Sequence, residues 1–137
     1  MSVQALYQQK RMSATDAIRV VKNGDTIVVP TAVGEPPSLL TALSEARRDF
    51  RDVQICQILA VRKYAYLDPE TVDNVRHTAY FYSGATRQGG KDGWVDFYPA
   101  YFSEMPQLIN RGLMPADVVF SMASPMDEHG FFSLALA

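Results

Sequence analysis

Residues 26–43, TIVVPTAVGEPPSLLTAL, read as a buried strand, a tight loop and a helix. Thr26, Ile27, Val28 and Val29 form a short β-branched run of the kind found in strands covered on both faces. The pattern breaks between Pro30 and Pro37. Leu39, Leu40, Leu43, Ala46 and Phe50 then recur near helical spacing. Pro36 and Pro37 suit a helix start, where a missing N–H leaves nothing unpaired. Arg47 and Arg48 suit its end, where positive charge faces the helix carbonyls. In α/β proteins such a unit places ligands beyond the carboxyl end of the strand, against the helix N-terminus. Gly34, without a Cβ, lets backbone come close to a bound group. The same unit also serves as plain scaffold, and the local pattern leaves both readings open.

Outward from this unit, strands and helices alternate. Ser13 and Asp16 resemble a capping box that starts a short helix, with Ala14, Ala17, Ile18 and Val21 on its apolar face. Asn23-Gly24 ends it. Residues 53–61, VQICQILAV, read as a second strand, and residues 75–82, VRHTAYFY, as a third. Between them a helical turn is expected over residues 69–72. Residues 83–93, SGATRQGGKDG, are the most loop-like stretch, and residues 95–101 read as irregular and aromatic. A helix capped by Ser103 runs to Arg111, with Gly112 at its stop. A fourth strand is expected over residues 118–122, a polar turn over 124–130 and a final strand over 131–137. This alternation predicts an α/β fold with a mostly parallel sheet and flanking helices. The closing run FFSLALA is apolar, whereas a free terminus usually frays into solvent. The expectation is that more chain or a partner follows, and that an exposed edge strand favours a homo-oligomer.

The bulk properties narrow the function classes. At 137 residues and 47% hydrophobic content, the chain suffices for one domain with a core. A net charge of −2 argues against a nucleic-acid surface, which needs a basic face. No apolar stretch reaches membrane-spanning length, and residues 1–12 lack the apolar core of a signal peptide. One cysteine, Cys56, allows no internal disulfide and suits a cytoplasmic setting. It sits in an apolar run and reads as a small buried hydrophobe.

The ionisable residues offer few chemical constellations. His77 and His129 are far apart, and neither has ligand spacing with Cys56, so no metal site is expected. His77 lies within an expected strand and reads as structural. There is no G-x-S-x-G elbow for a serine nucleophile. Counting back from Gly90-Lys91, position 85 is Ala and position 92 is Asp, so the Walker pattern fails. Asp127, Glu128 and His129 read either as an acid/base group at a strand end or as an Asx turn closed by Gly130. Arg87 reads either as a holder of a carboxylate or phosphate or as a solvated side chain.

Four runs in order carry a resemblance: AVGEPPSLLTAL at 32–43, VRHTAYFYSGATR at 75–87, VDFYPAYFSEMPQLINRGLMPADVVF at 95–120 and SPMDEHGFFSL at 124–134. Together they resemble the N-terminal half of the acetyl-CoA hydrolase/transferase family, and the GEP loop is most similar to its 4-hydroxybutyrate and butyrate:acetate CoA-transferase branch. The resemblance implies an enzyme that moves CoA from an acyl-CoA to a free carboxylate. No cofactor is permanently bound, and the CoA thioester is a substrate. It implies a catalytic glutamate, lying in a C-terminal half, that forms an acyl anhydride and then a glutamyl-CoA thioester. Residues 1–137 then form a CoA-transferase-like N-terminal domain that is inactive alone, with the missing half as its partner. Glu35, Glu104 and Glu128 belong to other motifs and do not take the catalytic role. The resemblance points to Val33, Gly34, Glu35 and Pro36 as lining the substrate cleft. Asp127, His129 and Gly130 shape the cleft or the interface to the missing half, and Ser83, Gly84 and Arg87 complete the set. The chain departs from the branch at Pro30-Thr31, where Gly-His is expected, and at Met126 and Phe131, where Pro and Tyr are common. Thioester hydrolysis and a non-catalytic acyl-CoA-binding or assembly module are the alternatives.

Overall fold

A computed structural model describes residues 2–134. The unit at 26–43 forms as read: β1 is Thr26–Val29, and a helix occupies Pro37–Glu45 with Pro37 in its first turn. Arg47 closes that helix by donating to Ser44 O at 2.8 Å. Two helices precede β1, so they are α1 (Val3–Lys10) and α2 (Ala14–Ala17), and the helix after β1 is α3. The start of α2 is capped as expected, with the Asp16 N–H donating to Ser13 Oγ at 3.1 Å. The remaining elements are β2 (Val53–Gln57), β3 (Val75–Ala79), α4 (Arg87–Asp92), β4 (Val95–Phe97), α5 (Met105–Asn110) and β5 (Val118–Val119).

The strands form one sheet of order β4-β3-β2-β1-β5, and every neighbouring pair is parallel. From β1 the chain winds through β2 and β3 to β4, then returns to place β5 on the other side of β1. The switch of direction therefore falls between β1 and β5. Register puts Ile27, Ile55, His77 and Val95 on one face and Val28, Cys56, Thr78 and Asp96 on the other. The first face carries the main core. There Ile27, Val29, Val53, Ile55 and Val75 pack under Leu40, Leu43 and Tyr66. The second face is covered near its carboxyl end by Met114, Met105 and Leu108.

Several elements differ from their sequence expectation. The second and third strands stop at Gln57 and Ala79; just beyond them the Phe81 N–H still donates to Ile58 O at 2.9 Å, and Leu59 O turns to accept from the Ala32 N–H. Residues 83–93 are not all loop: they contain α4, packed under Val95 and Tyr82. Residues 95–97, read as irregular, form β4 against β3, where Arg76 Nη2 meets Asp96 Oδ1 at 2.8 Å. The cap before α5 is not Ser103; instead the Tyr101 N–H donates to Glu104 Oε2 at 2.9 Å. The fourth expected strand is the two-residue β5. Of the final expected strand, residues 131–134 show only an antiparallel bridge between Ala123 and Leu134, and residues 135–137 lie outside the described residues.

Candidate functional site

The loop between β1 and α3 is built by bonds to the exit of β2. Gln57 ends β2 on the core face, and its side-chain amide donates to Pro30 O at 3.0 Å and to Glu35 Oε2 at 3.1 Å. The Ala32 N–H donates to Leu59 O at 2.8 Å. Arg62 brings its Nε to 3.8 Å from Glu35 Oε1. To fit these ties Ala32 adopts φ +50°, a left-handed conformation that costs a residue with a Cβ about 1 kcal/mol. Gly34, by contrast, sits buried in a 3₁₀ turn without a positive φ. Thus the strain in this loop is carried by an alanine, not by the glycine.

Val33 points outward at 68% exposure, whereas Glu35 is 3% exposed. The loop stands between two cavities. One, of about 480 Å³, has Val28, Cys56 and Tyr80 as its floor and Phe102, Met105 and Ile109 as its roof. The other, of about 360 Å³, lies at the N-terminus of α3 beside Pro36 and Pro37. Ser121, just past β5, borders both. Sharing Ser121, the two cavities flank the loop near the β1/β5 switch, a crevice of the kind where open parallel sheets place their ligands. Its walls are mainly apolar, suited to an apolar ligand chain.

The expected residues are only partly brought together. Of the expected loop residues, Pro36 lines the smaller cavity together with Pro37, whereas Val33 is exposed, Gly34 and Glu35 are buried, and these three line neither cavity. Ser83 and Gly84 border a separate cavity of about 410 Å³ with Ala60 and Lys63, between the exits of β2 and β3. Arg87 is the exposed first residue of α4 and makes no ion pair among the described residues. Asp127 closes an Asx turn, accepting from the His129 and Phe131 N–H groups at 2.9 and 2.8 Å. Gly130 completes the turn at φ +89°. This turn docks on α1, where Gln4 Nε2 donates to Glu128 O at 2.9 Å and Tyr7 meets Phe132 edge-on. None of its hydrogen bonds among the described residues reaches the 30–36 loop.

Sequence reasoning missed the polar cluster beneath the loop. Tyr64 stacks on Tyr66 and Tyr66 on His77, with centroids 5.5 and 6.2 Å apart. His77 is 1% exposed with neither ring nitrogen hydrogen-bonded, and burial pulls it down to about 4. Burial also raises Tyr66, helped by the nearby Tyr64 and Glu35. The available signal was Gln57, a polar residue in step with Val53 and Ile55 on the core-facing side of its strand. Burial likewise pushes the Cys56 thiol up to about 11, which keeps it protonated and unreactive near neutral pH. Among the described residues, no group of three or more His, Cys, Asp or Glu is placed to hold a metal ion. No helix among them is long and apolar enough to cross a membrane.

The comparisons with known proteins agree with the parallel α/β fold. The model of the acetyl-CoA hydrolase/transferase N-terminal domain matches residues 1–137. The succinyl-CoA:cyclohexane-1-carboxylate CoA transferase of Geobacter metallireducens is 37% identical over 131 residues, covering 96% of this chain and 30% of that protein. The 4-hydroxybutyrate coenzyme A transferase of Clostridium kluyveri is 29% identical over 137 residues, covering 100% and 32%. The crystal structure of RipA from Yersinia pestis superposes with a TM-score of 0.84 at 28% identity, covering 98% of this chain and 33% of that one. The chain thus spans about a third of the length of the relatives it matches.

Proposed function

Because this chain belongs to the acetyl-CoA hydrolase/transferase family and matches its N-terminal domain, we propose that it forms one wall of the site of an acyl-CoA:carboxylate CoA-transferase. The acyl-CoA donor and a short carboxylate acceptor, of the acetate, butyrate or 4-hydroxybutyrate type, meet in the crevice at the β1/β5 switch. The crevice and its loop, residues 30–36, carry this reading. The loop presents Val33 outward and holds Glu35 inward, so Glu35 shapes the wall and does not attack the thioester.

The nucleophile belongs to a second part of the protein, matching the remainder of the relatives' length. There a glutamate carboxylate attacks the thioester carbonyl, expelling CoA thiolate and leaving an acyl-glutamyl anhydride. The thiolate then takes the glutamyl carbonyl, releasing the first carboxylate, and the second carboxylate reverses the sequence. Transfer requires that water be kept from the anhydride, since water in the site would hydrolyse it. The setting is cytoplasmic, and Ser83 and Gly84 belong to a separate cavity outside this crevice.

The test is a CoA-exchange assay on the native polypeptide, with butyryl-CoA as donor and acetate as acceptor. Formation of acetyl-CoA that depends on acetate supports the transferase. Thioester loss at the same rate without acetate would make the protein a hydrolase. Tight acyl-CoA binding with neither reaction would make it a binding module.

A further inference from the structure

The four contacts that tie the 30–36 loop all end on three residues within 57–62. Gln57 holds Pro30 O and Glu35, Leu59 O accepts from Ala32, and Arg62 faces the Glu35 carboxylate. A carboxylate with a 2% exposed side chain is costly to bury unless it is paired and hydrogen-bonded. Here the partners are a single amide, one guanidinium at 3.8 Å and the neighbouring Tyr64 and Tyr66 phenols, with Glu35 Oε1 lacking a hydrogen bond among the described residues. An apolar residue would fill the same space without this desolvation. What the carboxylate adds is direction: it makes the amide of Gln57 bridge the loop's first residue, Pro30, to its last turn.

We infer that Glu35 is a positioning residue whose buried carboxylate, through Gln57, clamps the 30–36 loop to the exit of β2 and sets the crevice wall. The link to catalysis rests on the transferase reading; the clamp itself does not. Misplacing such a wall by a fraction of the loop's width lowers turnover more than it weakens substrate binding.

The experiment compares Glu35→Leu, Glu35→Gln and Gln57→Leu in the native protein by amide hydrogen exchange and by transfer kinetics. Glu35→Leu and Gln57→Leu are expected to raise exchange at Ala32 by about tenfold, the loss of one good hydrogen bond. Exchange at Ile55 and His77, in the core strands, stays unchanged. Both variants lower kcat by about tenfold with a smaller change in KM. Glu35→Gln keeps an acceptor for Gln57 and restores most of both. Unchanged exchange at Ala32, or a rise there matched at Ile55 and His77, overturns the clamp. A wild-type protein without transfer activity overturns the transferase reading instead, and the exchange pattern still decides the clamp.

Discussion

His77 sits on the core face of β3 with its ring stacked on Tyr66 and no hydrogen bond to either nitrogen. Folding therefore holds the imidazole neutral, down to about pH 4, whereas the unfolded chain takes up a proton near its ordinary value of 6.5. Between those two values the unfolded state binds more protons, so stability falls as the pH drops from about 6.5 to about 4 and levels off below. The cumulative loss from this group is on the order of 3 kcal/mol. Urea titrations at pH 7.5 and pH 4.5 are expected to show it. His77→Phe, which keeps a ring against Tyr66, flattens the acid limb by the equivalent of one proton. An unchanged pH slope in that variant would assign the acid sensitivity to other groups.

Helix α4 shows why composition and conformation part company. Two of its six residues are Gly89 and Gly90, each costing about 1 kcal/mol against alanine in a helix interior. Their use is tertiary: a Cβ at Gly90 would enter the ring of Tyr82, and one at Gly89 would meet Val95 and Trp94. Tyr82 packs on Phe97 with centroids 5.0 Å apart, so a ring displaced by the new Cβ gives up that contact. Gly90→Ala should accordingly lower the thermal midpoint, at a cost of about 1–3 kcal/mol despite its better helix propensity. A differential scanning measurement showing a gain would mean the ring yields. The same contrast explains what the sequence made legible. The β-branched run at 26–29 and the alternation at 75–79 are local signals, so β1 and β3 could be read directly. The packing that makes SGATRQGGKDG partly helical comes from residues on other elements. In the 30–36 loop, GEP was visible as a motif, but Gln57, the partner of Glu35, lies 22 residues away and showed only as a polar position in an apolar strand. The Asx turn at Asp127 was legible from spacing; its docking on α1, 124 residues distant at the Gln4 bond, was not.

For the whole molecule, the sheet ends at β5, whose Val119 is 62% exposed beside Phe102 at 66% and Leu134 at 63%. An apolar edge of this kind invites pairing with another chain. We expect residues 1–137, expressed without further chain, to self-associate with rising concentration in sedimentation velocity. Val119→Lys, a charge on the edge strand, shifts the population toward monomer. A monomer at all concentrations would mean that the edge is blunted by its short length and by Asp117, which accepts from the Thr26 N–H at 2.8 Å.

The floor of the larger cavity holds the chain's single cysteine. Because only the thiolate reacts with alkylating reagents, Cys56 should label slowly at neutral pH and about tenfold faster for each pH unit, until near 11. Its labelling rate is therefore a built-in clock for occupancy of the crevice. A guest that fills the cavity stops the clock, one that binds elsewhere leaves it running, and no foreign probe has to be introduced to read it.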